Sequence, residues 1–185
     1  MNRDAMDYSF TERNREHLKV VLDIVLFCAK QDIPLRGHRE TEDAVNKGNF
    51  LELFKFMCKY DPQIQNRIEQ LLRNGTLMSP DIQYELLESA ASVLLRKIKA
   101  EVCEVPGTFY ALMADEYKDE PKRELVAVCV RYIHAGKIKE RAIGFVDTSD
   151  MSASGISEKI LQVIKPLQLD PSLCVGFSFD GASVM

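Results

Sequence analysis

Apolar residues recur at helical spacing through the first hundred positions and change period after that. Between residues 12 and 31 the stripe Leu18, Val21, Leu22, Val25 and Ala29 predicts a helix. Val20, Ile24 and Phe27 widen that stripe, so the helix is expected to be covered on more than one side. Residues 32–48 have no period and carry Pro34, Gly37 and Gly48, which predicts an ordered loop. Asn49 is placed to cap a second helix, with Phe50, Leu53, Phe54 and Met57 on one face. Asp61-Pro62 is a start signal, Asp as cap and Pro at the first helical position, for a third helix. It runs through Ile64, Ile68, Leu71 and Leu72 to Asn74-Gly75. Ser79-Pro80 repeats the signal for a long fourth helix, whose buried stripe is predicted as Ile82, Leu86, Ala90, Leu94 and Ile98.

Beyond Val105-Pro106-Gly107 the pattern is that of strands. Phe109 to Ala114 is one apolar run that ends in Asp115, as a buried central strand would. Leu125–Ile133 and Ile138–Val146 are β-rich runs joined by His134-Ala135-Gly136-Lys137, the pattern of a hairpin. Residues 152–167 return to helical spacing through Ile156, Ile160, Val163, Ile164 and Leu167, with Pro166 ending the helix slightly early. Cys174–Phe179 is a second short strand that runs into an aspartate, Asp180. The expected fold class is mixed, α+β with α/β character: a helical bundle over residues 12–104, then an incomplete mixed sheet over 108–185.

Composition narrows the class. With 185 residues, 46% of them hydrophobic, the chain can bury a core of one domain, or one and a half. Charged residues make up 28%, mixed in sign, with a formal net charge of −4. A free-standing nucleic-acid binder carries a basic excess, so DNA contact would fall to local patches or to parts of a longer protein. The five cysteines (Cys28, Cys58, Cys103, Cys129 and Cys174) are scattered without a CxxC pair. That pattern predicts reduced thiols in a cytosolic or nuclear protein and no zinc site. The start Met1-Asn2-Arg3-Asp4 is too polar for a secretion signal. The most apolar run, Val20–Ala29, is broken by Asp23 and is about half the ~20 residues of a membrane span, so no membrane partner is expected.

Two carboxylates stand out by position. Asp115 and Asp180 each follow a short buried strand, and the helix between the hairpin and the last strand makes those two strands parallel. Parallel neighbours place their carboxyl ends side by side, at the edge where open α/β sheets bind ligands. Two carboxylates there can share hard divalent cations such as Mg²⁺ or Mn²⁺. From position alone a second reading stands beside it: aspartates after strands commonly bond their own backbone, and Asp180-Gly181 is a common turn pair. Glu116 and Asp119 are nearby candidates, also readable as solvated turn carboxylates. Arg36-Gly37-His38 reads as a loop-holding element, since one Arg and one His are too few for a phosphate-binding footprint. Arg96, Lys97 and Lys99 read as a solvated helix face, and His17 and His134 have no neighbours in sequence that suggest catalysis.

The segment Phe109-Tyr-Ala-Leu-Met-Ala-Asp115-Glu-Tyr-Lys-Asp119 resembles the opening of the catalytic domain of hAT-family DNA transposases. Val130-Arg131-Tyr132-Ile133 with Ile138-Lys-Glu140 is similar to that family's hairpin, and Ser178-Phe179-Asp180-Gly181-Ala182-Ser183-Val184-Met185 to its second-aspartate motif. Upstream, Asn14-Arg-Glu-His-Leu18 and Gln31-Asp-Ile-Pro-Leu35-Arg36-Gly37-His38 resemble the helical region before the core in the vertebrate zinc-finger-associated, transposon-derived branch. The resemblance covers nearly all of the chain. It implies an RNase H-like fold and DDE-type cut-and-paste transfer of DNA, with Asp115 and Asp180 as the first two catalytic and metal-binding positions and Mg²⁺ or Mn²⁺ as cofactor. It further implies transposon ends as partner, homo-oligomerisation through a C-terminal region, and a nuclear location. The third acidic residue, a glutamate, is expected beyond residue 185, where the sheet would also gain a helix, a strand and a final helix. The fragment by itself is therefore not expected to turn over.

Two functions follow from different classes. One is a transposase fragment that cuts and joins DNA; the other is a domesticated, non-catalytic module that binds DNA or protein in the nucleus. A third, a phospho-acceptor α/β domain, predicts a helix directly after the first strand, where this sequence has a hairpin.

Overall fold

A computed structural model of the chain describes residues 3–41, 43–70, 76–118, 124–147 and 152–180; the side chains of 3–10, 116–118, 124, 153 and 180 lie outside the description. Among the described residues the chain is a mixed α+β structure of five α-helices and one four-stranded sheet. It divides into two compact units, Met1–Ala91 and Ser92–Met185.

The first unit is helical. Helix α1 spans Arg3–Lys30 and so begins well before the predicted residue 12. Its buried line is His17, Val21, Ile24, Val25 and Cys28, while Ala29 and Phe27, both assigned to the stripe from sequence, are exposed. Steps of four and three alternate in that line, which keeps it on one face of a helix with 3.6 residues per turn. Helix α2, Asn49–Tyr60, buries Phe50 and Phe54 against it, and the His17 ring meets Phe54 edge-on at 5.8 Å. The α2 cap differs from expectation. Asn49 lies inside the helix and its Nδ2 donates to the Pro34 carbonyl, while Gly48 takes the cap position without a side-chain bond. Helix α3, Pro62–Gln70, starts as predicted, with Asp61 Oδ1 accepting from the Gln63 amide at 2.9 Å. Its predicted end at Leu71, Leu72 and Asn74-Gly75 lies outside the described residues.

The loop between α1 and α2 is fastened at both ends. The Ile33 amide donates to the Cys28 carbonyl, and the Phe50 amide to the Leu35 carbonyl. Within it, Gly37 and Gly48 pass so closely that a Cβ built on Gly48, at φ +99°, would lie 2.2 Å from the Gly37 nitrogen. Only hydrogen fits there. Arg36 holds the same loop through Nε, 3.0 Å from Glu40 Oε1, which is the structural role expected of it, and His38 is exposed.

Helix α4, Pro80–Cys103, starts under Ser79, whose Oγ accepts from the Ile82 amide. The predicted stripe is corrected here. Leu94 is 52% exposed, whereas Gln83 is buried and Leu95, Ile98 and Val102 face the second core. Steps of four advance 40° beyond a full turn each time, so a stripe of four such steps winds to the other side of the helix. The two halves of α4 also serve different cores: Leu86 and Leu87 pack on that of the first unit, Leu95, Ile98 and Val102 on that of the second.

In the second unit the strands β1 (Tyr110–Lys118), β2 (Glu124–His134), β3 (Lys137–Asp147) and β4 (Cys174–Asp180) form a sheet in the order β3-β2-β1-β4. The β2–β3 connection is the expected hairpin, with Ala135 at φ 50° and Gly136 at φ 71°, as a type I′ turn requires. Helix α5, Ala153–Ile164, capped by Ser152 Oγ on the Gly155 amide, continues into a 3₁₀ turn at Pro166. The sheet buries one face. Tyr110, Leu112 and Ala114 of β1, and Val126, Val128, Val130 and Tyr132 of β2, form a core with Ile98 and Val102 of α4 and Ile156, Ile160 and Ile164 of α5. On the opposite face Ala111, Met113, Ala127 and Cys129 are half-buried, and Ile133, Ile138 and Phe145 are exposed.

Two substitutions test this description. Ala135→Asn relieves a left-handed backbone that an alanine adopts at a cost of about 1 kcal/mol, so it should raise the melting temperature without altering the far-ultraviolet spectrum. Gly48→Ala forces apart two backbone segments and should lower stability by more than about 2 kcal/mol in a urea titration. A Gly48→Ala chain as stable as the parent would show that the two segments do not touch.

Candidate functional site

Strand β4 lies beside β1 and runs parallel to it, and the ladder between them ends at the pair Asp115–Asp180. The side chain of Asp180 is outside the described residues, as are Gly181–Met185, Asp119 and the side chain of Glu116, so the structure places only the Asp180 backbone. Asp115 itself is exposed. It alternates with the buried Ala114 and so belongs to the open face, with Ala111 and Met113. One expectation is corrected: Asp115 does not end its strand. β1 continues to Lys118 because β2 pairs with it over residues 116–118, so Asp115 ends the ladder with β4 only.

The surroundings of Asp115 come from the neighbouring strands. Ala127 is its partner on β2, and Ser178, paired with Met113, precedes it on the β4 side. Cys129 lies two residues further along β2, and burial first, then the Glu140 and Asp115 carboxylates, push its thiol up. A thiol so placed is kept protonated and is a poor nucleophile. Glu140, part of the hairpin motif, is engaged with Arg131 across the β2–β3 pair at 3.0 Å. Among the described residues no three His, Cys, Asp or Glu side chains converge on one point. All five cysteines are free thiols.

A cluster of charged groups sits elsewhere, where α4 ends against the hairpin. Glu101 Oε2 accepts from the Tyr132 hydroxyl at 2.6 Å and from Lys139 Nζ at 2.9 Å. The Glu101 side chain is only 12% exposed, and these two hydrogen bonds, Tyr132's first, lower its carboxyl to about 2. Tyr132 moves the other way, to about 12, through burial and then its bond to Glu101. One turn on, Glu104 Oε2 lies 2.8 Å from His134 Nδ1, a close contact that lacks hydrogen-bond geometry. This cluster was not read from the sequence, although Glu101 and Glu104 stand at helical spacing just before the strands. Buried His17 was likewise missed: its Nε2 meets the Thr76 carbonyl at 2.6 Å, a packing role.

The family is decided over almost the whole chain. The chain belongs to the ZMYM1/FAM200 RNase-like domain family, DUF4371, whose model matches residues 4–185. Among curated proteins it is similar to the human 52 kDa repressor of the inhibitor of the protein kinase, at 26% identity over 149 residues, 77% of this chain. The mouse protein of the same description is 28% identical over 142 residues, 73% of this chain. The matched region is 19% of the human relative and 18% of the mouse one, so the chain spans about a fifth of their length. No described helix of this RNase-like domain is long and apolar enough to cross a membrane.

Stability against pH reports the Glu101 cluster. Glu101 is ionised more readily in the folded chain than at its ordinary 4.5, so its contribution is complete above that pH and is lost as pH falls toward about 2. Tyr132 contributes fully below its ordinary 10 and loses its part as pH rises toward about 12. Glu101→Gln should therefore flatten the fall in melting temperature between pH 4.5 and 2. An acid limb identical to that of the parent chain would remove Glu101 from this role.

Proposed function

We propose that this RNase-like domain is the front part of a DNA strand-transfer domain of hAT-transposase descent, with Asp115 and Asp180 as two of its three metal-binding carboxylates. The observation that carries the reading is the register of Asp115 with Asp180 on adjacent parallel strands. Residues paired across a parallel ladder lie within about 5 Å along the hydrogen-bonding direction, a separation that two carboxylates can bridge through one cation. The donor set suits the ion: carboxylate oxygens without thiolate or imidazole favour Mg²⁺ or Mn²⁺. When bound, such ions supply a more acidic water or 3′-hydroxyl and stabilise the leaving oxygen of a phosphodiester.

The chain's own residues then have distinct tasks. Asp115, exposed on the open face, offers oxygens to a cation and to solvent, while Asp180 is carried to the same end of the ladder by α5. Ala127, the β2 partner of Asp115, is small and leaves room beside the carboxylate where a larger side chain would fill the approach. The net charge of −4 favours DNA contact by other parts of a longer protein. The proposed hAT descent implies transposon ends as substrate, a nuclear location and homo-oligomerisation through a C-terminal region.

A second reading is that of a domesticated nuclear module which binds DNA or protein without cutting. It is favoured by the relatives, which are described as repressors of the inhibitor of a protein kinase. Both readings meet the same experiment. In the full-length protein Asp115→Asn should abolish divalent-dependent strand cleavage and transfer, a loss of at least about 10³-fold, while DNA binding persists. In the 185-residue chain millimolar Mg²⁺ or Mn²⁺ should raise the melting temperature slightly, and Asp115→Asn should remove that rise. Cleavage unaffected by Asp115→Asn overturns the site; a full-length protein that binds but never cuts establishes the module.

A further inference from the structure

Four cross-strand pairs of the β2–β3 ribbon lie on the open face of the sheet: Ala127–Phe145, Cys129–Ala142, Arg131–Glu140 and Ile133–Ile138. On β2 they alternate with the buried Val126, Val128, Val130 and Tyr132. On β3, Gly144 turns toward Val163 of α5, so Phe145 beside it points the other way. Phe145 is 64% exposed at one end of this surface, and Ile133 and Ile138 are 63% and 62% exposed at the other. Between them Arg131 and Glu140 pair at 3.0 Å, each half-exposed. The four pairs thus carry one cation and one anion and are otherwise uncharged. Large apolar side chains left open together on a flat ribbon mark a contact with another molecule.

We infer that this ribbon receives a second copy of the chain, related by a two-fold axis that runs parallel to the strands midway between β2 and β3. Such an axis lays β2 of one copy over β3 of the other, at the separation of about 10 Å that packed sheets keep. Each residue then faces the partner's copy of its own cross-strand neighbour. Phe145 meets the partner's Ala127, large against small, and Ala127 receives the partner's Phe145. Arg131 meets the partner's Glu140, and Ile133 the partner's Ile138. The ribbon is therefore complementary to itself in both charge and size, as a two-fold contact requires. An axis across the strands through the charged row would set Arg131 on the partner's Arg131, which like-charge repulsion opposes. Nucleic acid finds no basic excess on these pairs. Two strands of 11 residues present roughly 350 Å² of sheet per copy. The total stays below the roughly 1,200 Å² of a stable complex, so the association is weak and reversible. Because β3 is the outer strand, Asp115 on β1 lies beyond the covered ribbon, and the inference is independent of the strand-transfer reading.

The test follows the mass of the 185-residue chain by sedimentation over a series from micromolar to millimolar concentration. The parent chain should pass reversibly from monomer to dimer. Arg131→Glu leaves two anions on the ribbon and Glu140→Arg two cations, so each variant should self-associate at least about tenfold more weakly. Mixed in equal amounts, the two variants should regain a dimer containing one of each. The double substitution Arg131→Glu with Glu140→Arg should dimerise by itself. Both side chains are half-exposed, so these chains should fold, which the far-ultraviolet spectrum checks. Phe177 pairs with the buried Leu112 and is 51% exposed on β4, on the helix side of the sheet, so Phe177→Ser should leave the dimer unchanged. A parent chain that stays monomeric throughout the series overturns the inference and gives the ribbon to a different occupant. Single variants that associate like the parent, or a mixture that stays monomeric, overturn it as well. A dimer lost only in Phe177→Ser moves the contact to β4 and has the same force.

Discussion

Parallel pairing of β1 with β4 is the constraint on which the sheet depends. A parallel neighbour cannot be reached by a tight turn, so the chain must cross one face of the sheet and return in the same direction. Helix α5 is that crossing, and its Ile156, Ile160 and Ile164 are buried in the core it crosses, so the connection also supplies the cover. Strand β1 has two edges; with β4 on one, the β2–β3 hairpin takes the other. Gly144 on β3 shows how close the crossing passes, since a Cβ there would lie 2.9 Å from Val163 of α5. The register of Asp115 with Asp180 is a consequence of this ladder and of nothing local to either residue.

The charges of the sheet are sorted by the same geometry. Tyr132, bound to Glu101, pairs with Tyr110 at the start of β1, while Asp115 pairs with Ala127 five residues further on. Five residues of strand span about 17 Å, well beyond a Debye length at physiological ionic strength. The carboxylate that fastens the hairpin to α4 is nearly covered and committed to two donors. Asp115 is exposed and lies at the carboxyl end of the β4 ladder, on the face opposite the helices. One end of the sheet thus uses its charge for cohesion, and the other leaves a carboxylate exposed to solvent. Membership of the RNase-like family accounts for the sheet; what the open carboxylate does is a property of the site and not of the fold.

Local chemistry made most of the elements legible. Asp61-Pro62 and Ser79-Pro80 start α3 and α4 through side-chain caps that involve residues two and three positions away. The hairpin turn follows from Gly136, the crossover from the spacing of Ile156, Ile160 and Ile164, and the aspartate of each motif from its place after an apolar run. These signals act over a few residues, so they survive without knowledge of the fold.

Tertiary structure decided which partner each residue meets. Asn49 is no cap, because the Pro34 carbonyl is brought within reach of its amide; β1 runs past Asp115, because β2 is there to pair with it. Leu94 is exposed and Gln83 buried, because each half of α4 packs on the core of its own unit, and Leu94 is not among the residues that do so. The Glu101 cluster joins residues 31 and 38 positions apart, and no period or cap announces it. The sequence by itself determined where the chain forms helices and strands and that an aspartate follows each of two apolar runs, since period and capping are properties of neighbouring residues. Only the folded chain decided that those two aspartates stand in register, because strand pairing is a contact between segments that the sequence keeps far apart.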